Sequence, residues 1–316
     1  FSDYMKEWLE SISNTKAKTT IGGYESNVLS IICPYFEQKQ ISLKDLKTID
    51  LQDFYDYQYS LNKKARTVKH YHDNIHKALE KARKTKLIDT NPADDCELEK
   101  PAQFIPTVYS AKEMTNFLEK LKGTTLETPV LITSFLGLRR SETLGIKWNR
   151  INFEENTITI AHTVTITTIS KKRLVIKKDI TKNDSSYRTL PMPPILKEYL
   201  QILREKQKED KKFFGNSYQN KDNYVCVNME GKLILPDTFT KGFAKFLKDN
   251  NLKKIRVHDL RHTVGSLLIN NGSTLREVQE WLGHSNVQTT EIYTHLDSNT
   301  KIHSANVIES LFAPVY

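Results

Sequence analysis

The chain has 316 residues, more than one domain ordinarily holds, so two domains are the expectation. Its 47 basic and 38 acidic residues give a formal net charge of +9, and no apolar run nears the ~20 residues that cross a bilayer. A membrane-spanning chain is thereby excluded. The opening Phe1-Ser2-Asp3-Tyr4 lacks the basic-then-apolar order of a signal peptide, and the missing initiator Met leads us to expect a further segment upstream. Cys33, Cys96 and Cys226 are odd in number and widely spaced, without CxxC. They argue against a disulfide framework and a zinc ribbon, and fit a reducing cytoplasm.

Residues 1–90 read as helices. Tyr4 and Trp8 recur at helical spacing, as do Tyr24, Val28, Ile31 and Ile32. Asp50 to Asp53 marks a helix start with an acidic first turn, and a third helix is predicted from about Thr67 to Lys84. Around it Lys63, Lys64, Arg66, Lys69, Lys77, Lys81, Arg83, Lys84 and Lys86 are opposed only by Asp73 and Glu80. Such clustering suits a polyphosphate surface, where neutralising phosphates releases counterions; a solvated helix face is the plainer reading. Pro92, Pro101 and Pro106 then interrupt a polar stretch without periodicity, which marks a linker over 92–108. It divides a first domain, 1–91, from a second, 109–316.

The second domain opens on Ser110-Ala-Lys-Glu113, the spacing of a capping box. Helices are expected at 110–121, 126–136 and 139–147. The period then changes to two: 156–160, 164–169 and 173–180 read as strands of one small antiparallel sheet. Helices resume at 193–206, 237–250, 258–270, 275–282 and 289–294, with Gly272 placed as a helix C-terminal glycine. The fold class is therefore mainly α with a small antiparallel β-sheet.

Chemistry concentrates in four places. His258 and Arg261 stand three apart on a predicted helix and share a face. A guanidinium grips phosphoryl oxygens with its planar fork, and an imidazole moves protons near neutral pH. His258 and His262 also have zinc-ligand spacing, but Arg261 puts a cation on that face and the HExxH glutamate is absent. Gly137-Leu-Arg-Arg-Ser-Glu142 ends an apolar helix and sets Arg139 three residues from Glu142. Lys182 lies in a polar turn between strand-like segments, with Lys177 and Lys178 nearby. Tyr293 follows Leu282-Gly-His284. Each has an ordinary reading: a helix ion pair, a solvated turn lysine, a packing tyrosine.

Taken in order, these elements resemble the tyrosine recombinase (phage-integrase-like) family along nearly the whole chain. Gly-x-Arg-x-x-Glu matches Gly137–Glu142 and selects Arg139 over Arg140. His-x-Leu-Arg-His-Thr matches His258–Thr263, and Leu-Gly-His, eight residues and Tyr matches Leu282–His284 with Tyr293. The family's β-hairpin lysine falls on Lys182, before a second strand at Tyr187-Arg-Thr-Leu-Pro. Within the family the long β segment and the opening residues are most similar to integrases of conjugative transposons, which commonly carry a small upstream arm-binding domain.

The resemblance implies a two-domain DNA clamp, a helical core-binding domain joined to a catalytic domain, in a bacterial cytoplasm. Tyr293 would attack a backbone phosphorus, form a 3′-phosphotyrosine and release a 5′-hydroxyl. Arg139, Arg261 and His284 would stabilise the phosphoryl oxygens, Lys182 would protonate the leaving oxygen, His258 would act as base, and Glu142 would orient Arg139. Lys63, Lys64, Arg66 and Lys69 would contact DNA. Religation from the covalent intermediate needs no ATP, and no P-loop or two-metal site is apparent, so neither cofactor nor metal is expected. The implied partners are double-stranded DNA at element ends and target, a homo-tetramer, and an excision factor. After Tyr293, Ile302, Ala305, Ile308, Leu311 and Phe312 form an apolar stripe that packs on a neighbouring protomer or on its own domain. A type IB topoisomerase, relaxing supercoils as a monomer, and a catalytically silent architectural DNA-binding protein are the competing readings.

Overall fold

A computed structural model describes residues 1–102, 105–181 and 186–283. The expected helix at 289–294, the tail stripe from Ile302 to Phe312, and Lys182, His284 and Tyr293 lie outside these residues. The chain forms two compact units, one of Phe1–Phe104 with Ile166–Leu174 and one holding the rest.

The first unit is helical: α1 (Ser2–Ile12), α2 (Lys18–Asn27), α3 (Cys33–Lys39), α4 (Thr48–Ser60) and α5 (Ala65–Lys84). A π turn, Val28–Ile32, joins α2 to α3. Its cause lies in Pro34, which has no N–H to donate and whose ring would collide with the carbonyl four residues back, so the helix widens just before it. The core is aromatic. Phe36 meets Phe1 edge-on at 4.9 Å and Phe54 at 5.4 Å, around Met5, Val28, Ile32 and Leu51. Amphipathic α5 buries Val68, Tyr71, Ile75, Ala78, Leu79 and Ala82, and Tyr4 of α1 donates its hydroxyl to the Ala78 carbonyl at 2.8 Å. α4 begins at Thr48, two residues before the predicted start, because Asp50 reaches back to the Lys47 N–H at 2.9 Å and caps the helix from its third position.

The second unit begins with α6 (Ala111–Leu121), α7 (Glu127–Leu136) and α8 (Arg140–Gly145). The Ser110–Glu113 capping box forms, with Glu113 accepting from Ser110 N–H at 2.7 Å. Five strands follow, β1 (Ile151–Asn152), β2 (Thr157–Ile160), β3 (His162–Ile169), β4 (Lys172–Asp179) and β5 (Arg188–Pro191), of which the end of β3 and the start of β4, within Ile166–Leu174, belong to the first unit. They make two sheets, not the single one expected: β1-β2-β5 and β3-β4. β2 and β5 run antiparallel with Ile158 opposite Leu190, and both are buried with Ile160 in the main core. The strands flanking the Lys182 turn therefore belong to different sheets, so that turn is not the tip of a simple hairpin. Apolar alternation alone could not distinguish the two pairings.

Four helices complete the described chain: α9 (Pro194–Phe214), α10 (Pro236–Asp249), α11 (Val257–Asn270) and α12 (Leu275–Leu282). α9 extends eight residues past its predicted end through a polar stretch. Its anchor there is Gln207, which accepts from Trp148 Nε1 and donates to the Val225 carbonyl, both at 2.9 Å. Among the described residues no helix is long and apolar enough to cross a membrane.

Phe117 is fully enclosed, with Tyr109, Phe243 and Phe246 rings at 5.6, 5.8 and 6.0 Å. Phe117→Ala is expected to cost roughly 3–5 kcal/mol in urea unfolding, whereas Phe213→Ala, at a ring 84% exposed, changes stability by no more than about 0.5 kcal/mol.

Candidate active site

The two motifs that stand 116 residues apart in the chain meet around one carboxylate. Glu142 sits in the first turn of α8 with its side chain 2% exposed. Arg139, at the helix N-cap, donates Nη1 to Glu142 Oε1 at 2.6 Å and its backbone N–H to Oε2 at 3.1 Å. Arg188 on β5 donates Nη2 to Oε2 at 3.1 Å, and Arg261 on α11 brings Nη1 within 3.9 Å of the same oxygen. Among the described residues three guanidiniums thus share this one anion, in a largely buried setting where screening is weak.

The same arginines hold the last turn of α12. Arg188 Nε donates to the Trp281 carbonyl at 3.0 Å, Arg261 Nη2 to Leu282 at 2.7 Å, and Arg139 Nη2 to Gly283 at 3.2 Å. A helix C-terminus carries unpaired carbonyls and partial negative charge, so cations bind it well. Two glycines allow the approach. Gly283 has φ +68, and a Cβ there would lie 2.8 Å from Arg188 Nη1. Gly137 has φ +62, and a Cβ there would come within 2.5 Å of Leu282 Cδ2; its carbonyl accepts from Arg261 Nη1 at 2.8 Å.

Burial is the largest influence on the Glu142 carboxyl and would raise its pKa. The charges of Arg188, Arg139 and Arg261 together outweigh it and hold the group below the usual carboxylate range. Burial lowers the Arg188 pKa against the opposing pull of Glu142. His258 keeps part of its surface open, but the protein around the ring lowers its pKa, as do Arg261, Arg139 and Arg256 in turn. The ring is therefore neutral near pH 7 and free to accept a proton. His262 lies edge-on to His258 at 4.8 Å, and burial pushes it down to about 4. Among the described residues no group of His, Cys, Asp and Glu is arranged to hold a metal.

Of the site residues predicted from sequence, the fold brings together Arg139, Glu142 and Arg261, with His258 on the same helix as Arg261. Lys182, His284 and Tyr293 are outside the described residues, although the arginines fix the chain up to the residue before His284. Arg140 turns away to Thr240 Oγ1 at 2.6 Å. Lys177 is engaged with Asp222 at 2.6 Å. Sequence reasoning missed Arg188. It stood in the Tyr187-Arg-Thr-Leu-Pro segment, but only the β2–β5 pairing carries it to Glu142. Lys63, Lys64, Arg66 and Lys69 are exposed around the start of α5, and Lys69 pairs with Asp73 at 3.3 Å.

Glu142→Gln keeps the shape and removes the shared anion, leaving two buried cations and the half-open Arg139 to repel one another. The expected loss is about 3 kcal/mol, read as a lower denaturation midpoint with an unchanged slope.

Comparison with known proteins gives the same assignment. Residues 109–300 match the model of the phage integrase family, and residues 1–59 match that of the phage integrase N-terminal SAM-like domain. A tyrosine recombinase XerC-like protein of Caldanaerobacter subterraneus is 28% identical, covering 98% of this chain and 83% of its own length. XerD of Listeria monocytogenes is 26% identical over 88% of each. Among solved structures, the Tn1549 transposon integrase in complex with transposon right end DNA shares the fold, with TM-score 0.77, 20% identity and 99% of each chain covered. XerH bound to a palindromic difH substrate does so with TM-score 0.66, 20% identity, and 98% and 85% covered. The chain belongs to the phage integrase family, and it is a tyrosine-type site-specific DNA recombinase.

Proposed function

We propose that the arginine cluster around Glu142 is the phosphoryl-binding half of the recombination site, and that Tyr293 is its nucleophile. The observation that carries this reading is the cluster itself: three fixed cations on one buried carboxylate, with charge left over for an incoming anion. In a pentavalent transition state, whose non-bridging oxygens carry one more negative charge than the phosphodiester, such preorganised charge stabilises without reorganising. Arg139 offers the most open guanidinium of the three, its side chain 34% exposed against 9% and 1% for Arg188 and Arg261. Arg261 adds its charge from within. Glu142 orients Arg139 and does not itself react.

Tyr293 attacks the scissile phosphorus. Its hydroxyl proton, with an ordinary pKa near ~10, goes to neutral His258. The phosphorus–O5′ bond breaks, Lys182 delivers a proton to O5′, and a 3′-phosphotyrosine remains. His284, next to a Gly283 carbonyl gripped by Arg139, donates to a phosphoryl oxygen. Attack by the 5′-hydroxyl of a partner strand reverses these steps and needs neither cofactor nor metal. The engagement of Lys177 with Asp222 supports Lys182 as the general acid.

The first unit, with Lys63, Lys64, Arg66 and Lys69 near the start of α5, is the core-binding half of a clamp on double-stranded DNA, joined through 92–108 to the catalytic half, 109–316. Four cuts join two duplexes, so the working assembly is a tetramer. The substrates are the ends of a mobile element and its target in a bacterial cytoplasm. Likeness to a transposon integrase over the whole chain supports this over supercoil relaxation.

A nicked suicide duplex carrying the element end, incubated in EDTA, is expected to give a covalent protein–DNA adduct on a denaturing gel. Tyr293→Phe should abolish it. Cleavage that appears only with Mg²⁺ would overturn the mechanism. Because burial, and then the neighbouring cations, lower the His258 pKa, its neutral form persists into mild acid. The acid limb of the cleavage rate should therefore fall below the ordinary histidine value of ~6.5 and disappear in His258→Gln.

A further inference from the structure

Away from the arginine cluster, His162 joins three segments of the second unit. It opens β3 and is 8% exposed. Its Nδ1 lies 2.6 Å from Oδ1 of Asp179, the last residue of β4, and its Nε2 lies 2.9 Å from the Tyr224 hydroxyl. A carboxylate has no proton to give, so Nδ1 carries the hydrogen and, in the neutral ring, Nε2 accepts from Tyr224.

Each end of this relay is anchored. Asn220 holds the Tyr224 backbone from both sides, accepting its N–H and donating to its carbonyl, each at 2.8 Å. The Tyr224 ring lies beneath Lys147 and Lys177 at 5.2 and 5.3 Å. The Ile180 N–H donates to the Ala161 carbonyl at 2.8 Å. At Gly145, the end of α8, a Cβ would come within 2.2 Å of the His162 carbonyl oxygen. The helix that carries Glu142 thus rests directly on the strand that carries His162. A continuous set of contacts runs from the arginine cluster to Asp179, and Lys182 is three residues further along.

We propose that His162, through Asp179, is a positioning residue for Lys182, fixing the chain from which the general acid reaches the leaving oxygen. The inference rests on the role proposed for Lys182. An 85% exposed carboxylate contributes little to a fold by itself, but it is well placed to hold the outgoing strand. Proton delivery depends on placement to within about 1 Å, so loosening this clasp weakens one step of the reaction and leaves phosphate binding intact.

The test compares ordinary DNA with DNA in which sulfur replaces the bridging 5′ oxygen. Breaking the phosphorus–sulfur bond releases a thiolate that needs no proton, so a defect confined to the general acid disappears. Asp179→Ala and His162→Phe are expected to cleave ordinary DNA about tenfold more slowly and sulfur-substituted DNA within about twofold of the parent protein. His162→Asn, whose amide can still donate to Asp179, should stay within about threefold on both. Equal slowing on both substrates, or an unchanged rate for Asp179→Ala on ordinary DNA, overturns the proposal. Lys182→Ala serves as the reference. If sulfur fails to restore that variant, the general-acid assignment itself falls and this inference with it. If sulfur restores it while Asp179→Ala is unaffected, only this inference falls.

Discussion

The second unit is organised around a carboxylate that could not be buried alone. Taking Glu142 out of water is costly, and the cost is offset only because Arg139, Arg188 and Arg261 converge on it. They come from α8's N-cap, β5 and α11, so the electrostatic requirement is also a topological one: the sheet must deliver β5 to α8, and α11 must bring Arg261 to the same carboxylate. A buried charge with three partners tolerates little displacement, since moving any element leaves a cation or the anion unpaired.

The arrangement does more than balance charge. Each guanidinium has donors to spare, and the spare donors go to three successive carbonyls, Trp281, Leu282 and Gly283. The fork of arginine suits this double duty, because its planar donors point in several directions from one rigid group. The glycines of both motifs follow from the same geometry. Gly137 and Gly283 adopt left-handed backbone conformations, and a side chain would meet Leu282 of the other motif at the first and Arg188 of β5 at the second. The motif spacing is thus the trace, in the sequence, of a close approach between two distant segments.

Function inherits the rigidity. A site proposed to bind a phosphodiester and stabilise the additional negative charge of its transition state works best when its cations are already oriented before substrate arrives. Burial first, and then those same cations, lower the pKa of His258, which suits the proton-accepting role proposed for it.

Much of this was legible in the chain. Helical periodicity placed α5, α7, α10 and α11, and local capping residues marked α6 within a residue, because those signals act between neighbours. Motif order identified Arg139, Glu142, His258 and Arg261. What the chain could not reveal were the non-local pairings. Whether β4 pairs with β5 or with β3 depends on Ile158 and Ile160 finding Leu190 across the sheet, and nothing adjacent to Arg188 announces that this pairing turns it onto Glu142. Gln207, buried in a polar run, extends α9 through partners at Trp148 and Val225. Local propensity and motif order were enough for the described helices and the family, since both are written residue by residue, and they named the candidate reacting groups. The tertiary structure alone decided which cations share the anion and which strand leads into the Lys182 turn, because burial and sheet pairing are satisfied only between segments far apart in the chain.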